Sequence, residues 1–189
     1  MDDLAHGKSV ALRRAGSRQW VLKPQDLAVA LKLVALKKRW LPYAALGEAM
    51  HLSRFEAHAA VQRLGAAGLA SEIEGPPQPV MRALRDFVVH GARYAYPPVR
   101  GGTTIGFPTA QALPALKKLM AATADVVTVW PHPEGKARGQ SLLPLYESLP
   151  LAAQADQDFH ELLALFDLLR IGQARERAIA QKMLEERLK

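Results

Sequence analysis

The stretch HLSRFEAHAAVQRLGAAGL, His51 to Leu69, decides the fold. Ser53 followed by Glu56 is a capping box, in which the Ser hydroxyl accepts from the backbone N–H three residues on and the Glu carboxylate reaches back. A helix is therefore predicted to start at Ser53. Ala57, Val61 and Leu64 recur at i, i+4 and i+7 as a narrow apolar stripe, while Arg54, Phe55, His58, Gln62 and Arg63 lie off it. Gly68 supplies the left-handed stop.

Upstream, Met1 to Leu22 carries Lys8, Arg13, Arg14 and Arg18 among small residues and reads as a flexible basic arm. From Lys23 a helix is expected, with Pro24 in its first turn and Leu27, Ala30, Leu31 and Val34 on its buried face. Lys37, Lys38 and Arg39 fall near its C-terminal end, where cations complement the helix dipole. Pro42 opens a second short helix with Tyr43, Leu46 and Met50 on one side. Downstream of the quoted stretch, Leu69 to Ile73 alternates like a strand and runs into GPPQP.

This order resembles that of the winged helix-turn-helix transcription regulators of the multiple-antibiotic-resistance type. The resemblance lies in LPYAALGEAMHLSRFEAHAAVQRLGAAGLA: apolar Leu52 before the Ser, small Ala57 four after it, Leu64 eleven after it, and Gly68-Leu69 leading into the wing. It covers Lys23 to Pro79. The wing departs from the family pattern, since Glu72, Glu74 and a Pro-rich turn stand where basic residues usually grip phosphate.

Beyond Pro79, Met81, Leu84, Phe87 and Val88 predict a helix that Gly91 ends. Residues 97–150 read as a small Pro-rich α+β region: RGGTTIGFPTAQALP as loop or short strand, a short helix from Pro114 to Met120, a strand over Asp125 to Trp130, and PHPEG turning into a second extended segment. Residues 151–189 read as a helix pair broken at Gly172. The fold class expected is thus mainly α with small β elements, an α+β chain divided into an arm (1–22), a winged helix with its following helix (23–96), the Pro-rich region (97–150) and the helix pair (151–189).

Composition narrows the function. With 189 residues, 49% of them hydrophobic, the chain can bury a substantial core. A formal charge of +7 favours a polyanionic partner, because Lys and Arg gain affinity by displacing phosphate counterions. The chain has no cysteine, which excludes disulfides, thiolate zinc sites and cysteine nucleophiles. No apolar run approaches the ~20 residues that span a bilayer and no apolar signal core opens the chain, so a cytoplasmic protein without membrane contact is expected.

Catalytic motifs appear only in fragments. Gly101 to Gly106 has phosphate-loop spacing but is followed by Phe107 and Pro108 instead of a Lys and a Ser or Thr, so it reads as a turn. His160-Glu161 lacks the second His of a zinc-protease helix, Ala164 standing there, and reads as a polar pair on the outer face of an amphipathic helix. His132-Pro133-Glu134 lacks the thiolates of a zinc deaminase. The acidic residues are expected mainly on helix surfaces. Neither an enzyme, a metal nor a cofactor is expected.

By the resemblance, the helix 53–67 lies in the major groove of double-stranded DNA. Arg54, Phe55, His58 and Gln62 share one side and would meet base edges: Arg at guanine, Gln at adenine, an apolar ring at a thymine methyl. Lys37, Lys38, Arg39, Ser53 and Arg63 are assigned to phosphates. Phe159, Leu162, Leu163, Phe166 and Leu169 form a strong stripe, widened by Leu165 and Leu168, and are expected to make a homodimer or partner surface. The reading is a transcription regulator, of repressor type. The alternative is an antitoxin-like protein whose C-terminal region binds another protein, since ARYAYPP and PLYESLP are motifs that DNA binding does not require. RNA is less favoured, because the aromatic residues are not interleaved with basic ones on a strand platform.

Overall fold

The computed structural model describes residues 20–72, 75–113, 116 and 127–189. It is an α+β chain with helices in the majority. Helix α1, Pro24–Ala35, is buried from Asp26 to Leu33 on every side, far beyond the single stripe expected from its sequence. It closes at Leu36, earlier than the basic cluster, and Lys37 and Lys38 take left-handed backbone (φ 51° and 69°) in the turn that follows.

Helices α2, Tyr43–Met50, and α3, Arg54–Ala66, are joined by a tight turn. His51 is left-handed (φ 51°), and the Leu52 N–H donates to Gly47 O at 2.8 Å. Gly47 is required there: a Cβ would lie 2.8 Å from Leu52 O. Helix α3 has the expected cap, with Ser53 Oγ accepting from Glu56 N at 3.1 Å and the Ser53 N–H donating to Glu56 Oε2 at 3.0 Å. Its termination also agrees, Gly68 lying at φ 70°.

A two-residue antiparallel ladder follows, β1 (Ala70–Ser71) with β2 (Gln78–Pro79). The strand expected through Ile73 thus pairs only at its start, and Ile73 itself lies outside the described residues. Helix α4 begins at Met81 and does not end at Gly91. It passes through a π turn, Phe87–Gly91, and continues over Ala92–Ala95, the wider turn absorbing the glycine.

Of the two readings of RGGTTIGFP, loop or short strand, the structure has the strand, the nine-residue β3, Arg100–Pro108, so Gly101 to Gly106 is not the turn expected. Strand β3 pairs antiparallel with both β4, Thr128–Pro131, and β5, Ala137–Leu142, while β4 and β5 pair in parallel, closing a three-stranded barrel. Glycine makes so small a barrel possible. A Cβ on Gly106 would sit 1.9 Å from Trp130 O, and one on Gly139 would sit 2.2 Å from Val127 O. The glycine spacing that imitates a phosphate loop therefore serves backbone contact between strands. Most of the helix expected over Pro114 to Met120, together with Asp125 and Val126, lies outside the described residues.

Helix α5, Leu149–Gln154, is a further turn and a half that the sequence reading did not separate. Helices α6, Gln157–Ile171, and α7, Ala174–Arg187, match the expected pair, with Gly172 capping the first. Helix α6 does not offer a dimer surface. Phe159, Leu162, Leu163, Phe166 and Leu169 are all buried within the one chain, as are Leu165 and Leu168. The broad apolar face is used up by α1, α4, α5, α7 and the barrel, because α6 runs through the centre of a single hydrophobic core extending from Leu27 to Leu188.

Polar groups are built into that core, and Asp26, Glu161 and Asp167 are buried exceptions to the expectation that the acids lie mainly on helix surfaces. Asp167 accepts from Thr109 Oγ1 at 2.6 Å and Trp130 Nε1 at 2.8 Å, and pairs with Arg170. Lys32 pairs with Asp156 at 2.7 Å. Burial would raise the Asp156 carboxyl, but the bonds from Lys32 and the Phe159 N–H prevail and hold it below its ordinary range. His160 and Glu161 are buried as well, and do not lie on the outer face of the helix as expected. The His160 ring stacks on Trp130 and its Nε2–H donates to Pro108 O at 2.9 Å, while Glu161 pairs with Arg187.

Candidate nucleic-acid interface

At about 100° per residue, Ala57, Ala60, Val61 and Leu64 occupy one arc of α3, and Arg54, Phe55, His58 and Gln62 occupy the neighbouring one, from Arg54 beside Val61 round to Phe55 on the far side. The first four are buried; Arg54, Phe55 and His58 are exposed, and Gln62 is half-exposed. Phe55 is the extreme case, an 82% exposed phenyl ring. Among the described residues nothing covers this ring, and it takes no part in the described core.

Three aromatic rings link this arc to the rest of the face. His58 meets Tyr43 edge-on at 4.7 Å, and Tyr43 meets Trp40 edge-on at 5.2 Å. The Tyr43 hydroxyl then donates to Glu72 Oε1 at 3.1 Å, just beyond β1. Burial, with the Glu72 bond and charge behind it, pushes the Tyr43 phenol up to about 12, so it remains a donor. Glu72 thus braces the ladder against α2. The sequence reading missed Trp40 and Glu72 as parts of this face; the i, i+3 spacing of Trp40 and Tyr43 was a signal for the rings, whereas nothing local marks Glu72.

The residues assigned to phosphates divide. Lys37, Lys38 and Arg39 are exposed in the turn before Trp40, with Lys37 2.6 Å from Asp158 and Arg39 Nε donating to Leu36 O at 3.3 Å. Ser53 is engaged in its cap, and its two hydrogen bonds hold the Glu56 carboxyl below the ordinary range. Arg63 leaves the set. Its guanidinium clasps Asp26, buried at the base of α1, through two bonds of 2.6 Å. It lies on the flank of α3, between the exposed and buried arcs, and its charge is already matched.

Of the motifs set apart as unneeded for DNA binding, PLYESLP ties down the end of α2. Tyr146 donates its hydroxyl to Met50 O at 2.7 Å and Ser148 donates to His51 O at 3.0 Å, satisfying the carbonyls at the end of α2. Burial raises the Tyr146 phenol. Tyr96 is buried, packs edge-on to Phe87 at 6.3 Å, and is pushed up to about 12 by that burial and by the Asp26 charge. Tyr94, by contrast, is 69% exposed.

Among the described residues, no group of three or more His, Asp or Glu is placed to hold a metal ion. His132 sits in a turn with the Glu134 N–H directed at its Nδ1 at 3.2 Å. No described helix is long and apolar enough to cross a membrane. No protein-family model matches the chain, and no curated protein or solved structure matches it either.

Proposed function

We propose that the chain is a sequence-specific double-stranded DNA-binding transcription regulator in which α1, α2, α3 and the β1–β2 ladder act as a winged helix-turn-helix. The observation that carries this reading is the outward arc of α3. A cation, an aromatic ring, an imidazole and an amide project together from a helix whose N-terminus is rigidly capped, and these are the groups that read base edges. The net charge of +7 supports it through the phosphate term. Lys37, Lys38 and Arg39 take the phosphate role beside the aromatic row. The wing is reduced to a brace, its Glu72 turned to Tyr43 and not to DNA.

A second reading rests on a different surface. Val99 and Leu143 are each at least half exposed, and the Leu143 N–H donates to Val99 O at 2.9 Å, so the two are neighbours. Such a surface suits a protein partner, as the antitoxin-like alternative requires.

Selection of duplexes from a random library, at low salt, separates the two. The DNA reading expects one enriched motif whose retention falls when Arg54 is replaced by Ala. Retention of no duplex by the folded protein would overturn it, and co-purification of one stoichiometric partner lost on Leu143→Ala would establish the second reading.

A further inference from the structure

We infer that the cleft between α1, the β1–β2 ladder, the start of α4 and the end of α7 binds a small organic anion with an apolar body, of the medium-chain carboxylate class. The cleft measures about 710 Å³, inside the range of roughly 300–1,000 Å³ typical of small-molecule sites. Its inner wall is apolar: Leu33 and Val34 from α1, Pro79 from β2 and Met81 from α4. Val34, Pro79 and Met81 remain partly exposed, so a guest's hydrocarbon would remove from water surface that the fold leaves wet.

The described rim is cationic. Among the described residues, the ionisable side chains that line the cleft, Lys37, Lys38, Arg187 and Lys189, are all cations. Two of these are already answered from outside the cleft, Lys37 by Asp158 and Arg187 by Glu161. Among the described residues, Lys38 and Lys189 have no ion-pair partner. Lys38 is also set in place by its backbone: the left-handed turn is fixed by Lys37 N to Val34 O and Arg39 N to Leu36 O, each 3.0 Å. Apolar wall plus unanswered ammonium groups at the mouth selects an occupant that has both a hydrocarbon part and one negative end. A neutral alcohol would satisfy only the wall, and a bare small anion only the rim.

Calorimetric titration of the full chain with octanoate tests this without any DNA, so its outcome is separate from that of the duplex selection. Octanoate should bind one to one, saturating near about 1 mM, with octan-1-ol and acetate at least about tenfold weaker. Lys38→Gln and Lys189→Gln, both changes of exposed side chains, should each weaken octanoate about two- to fivefold and leave octan-1-ol unaffected. Met81→Glu, which puts a carboxylate in the wall, should abolish saturation while the circular dichroism spectrum is kept. Failure of octanoate to saturate, octan-1-ol binding as tightly as octanoate, or unchanged octanoate affinity in both lysine variants would each overturn the inference.

Discussion

Arg63 grips Asp26 in a fork, Nε to Oδ2 and Nη2 to Oδ1, across 37 positions of chain. The same Asp26 oxygen, Oδ2, accepts the Lys23 N–H at 2.8 Å, so one buried carboxylate starts α1 and anchors α3. Removing the guanidinium strands a charge that is 0% exposed. Arg63→Ala should therefore cost about 3–5 kcal/mol in urea unfolding, and the double change Asp26→Leu with Arg63→Met substantially less. Equal losses for the two would show that the pair's charge is not what the fold depends on.

The outward arc of α3 should separate reading from folding. Arg54→Ala and Gln62→Ala are each expected to cost about 1–3 kcal/mol at a selected duplex and little on random DNA or on thermal stability. Ser53→Ala is the opposite case, losing about 0.5–2 kcal/mol of stability through the cap. Anisotropy titrations beside melting curves measure both. Parallel losses on selected and random duplexes would reassign Arg54 and Gln62 to phosphate contacts.

His160 makes stability depend on pH. Burial lowers its pKa from the ordinary 6.5, outweighing the Pro108 bond and the charges of Asp167 and Glu161. The folded state thus prefers the neutral ring. Its contribution is complete above pH 6.5, the unfolded value, and is lost as pH falls from there toward the depressed folded value. His160→Gln, which keeps an amide donor for Pro108 O, should flatten unfolding free energy between neutral pH and the mildly acidic range, removing a slope of up to about 1.4 kcal/mol per pH unit. An unchanged slope would assign the acid sensitivity to other groups.

Two glycines of similar appearance in the sequence should respond in opposite directions. Nothing lies within 4 Å of a Cβ placed on Gly65 in α3, so Gly65→Ala should stabilise by roughly 0.5–1 kcal/mol. At Gly106 the added methyl would meet the Trp130 carbonyl oxygen, and Gly106→Ala should unfold the barrel or give insoluble protein. Thermal melts of the two variants settle the comparison.

Truncation before Gln157 removes Phe159, Phe166 and the leucines between them from the interior. The shortened chain should show collapsed helicity and aggregation by circular dichroism and size exclusion. A folded monomer would return α6 to the status of an attached surface helix, which its burial argues against.

Elements whose causes are local were legible from the residues alone. The Ser53–Glu56 cap, the left-handed Gly68, the break at Gly172 and the exposed arc of α3 each depend on neighbours within about one or two turns, and a periodic pattern reports them directly. The destinations of those elements were not legible. An apolar stripe states that a face must leave water but not what covers it, and so the Phe159–Leu169 face suited a second copy as well as its own chain. Arg63 looked free for phosphate because Asp26 is remote in sequence, and RGGTTIGFP stayed open between loop and short strand because its two partner strands come later. Burial and pairing are set by contacts between distant segments, and it is the assembled core that committed Arg63, His160 and the α6 stripe to the interior while leaving Arg54, Phe55 and His58 facing outward.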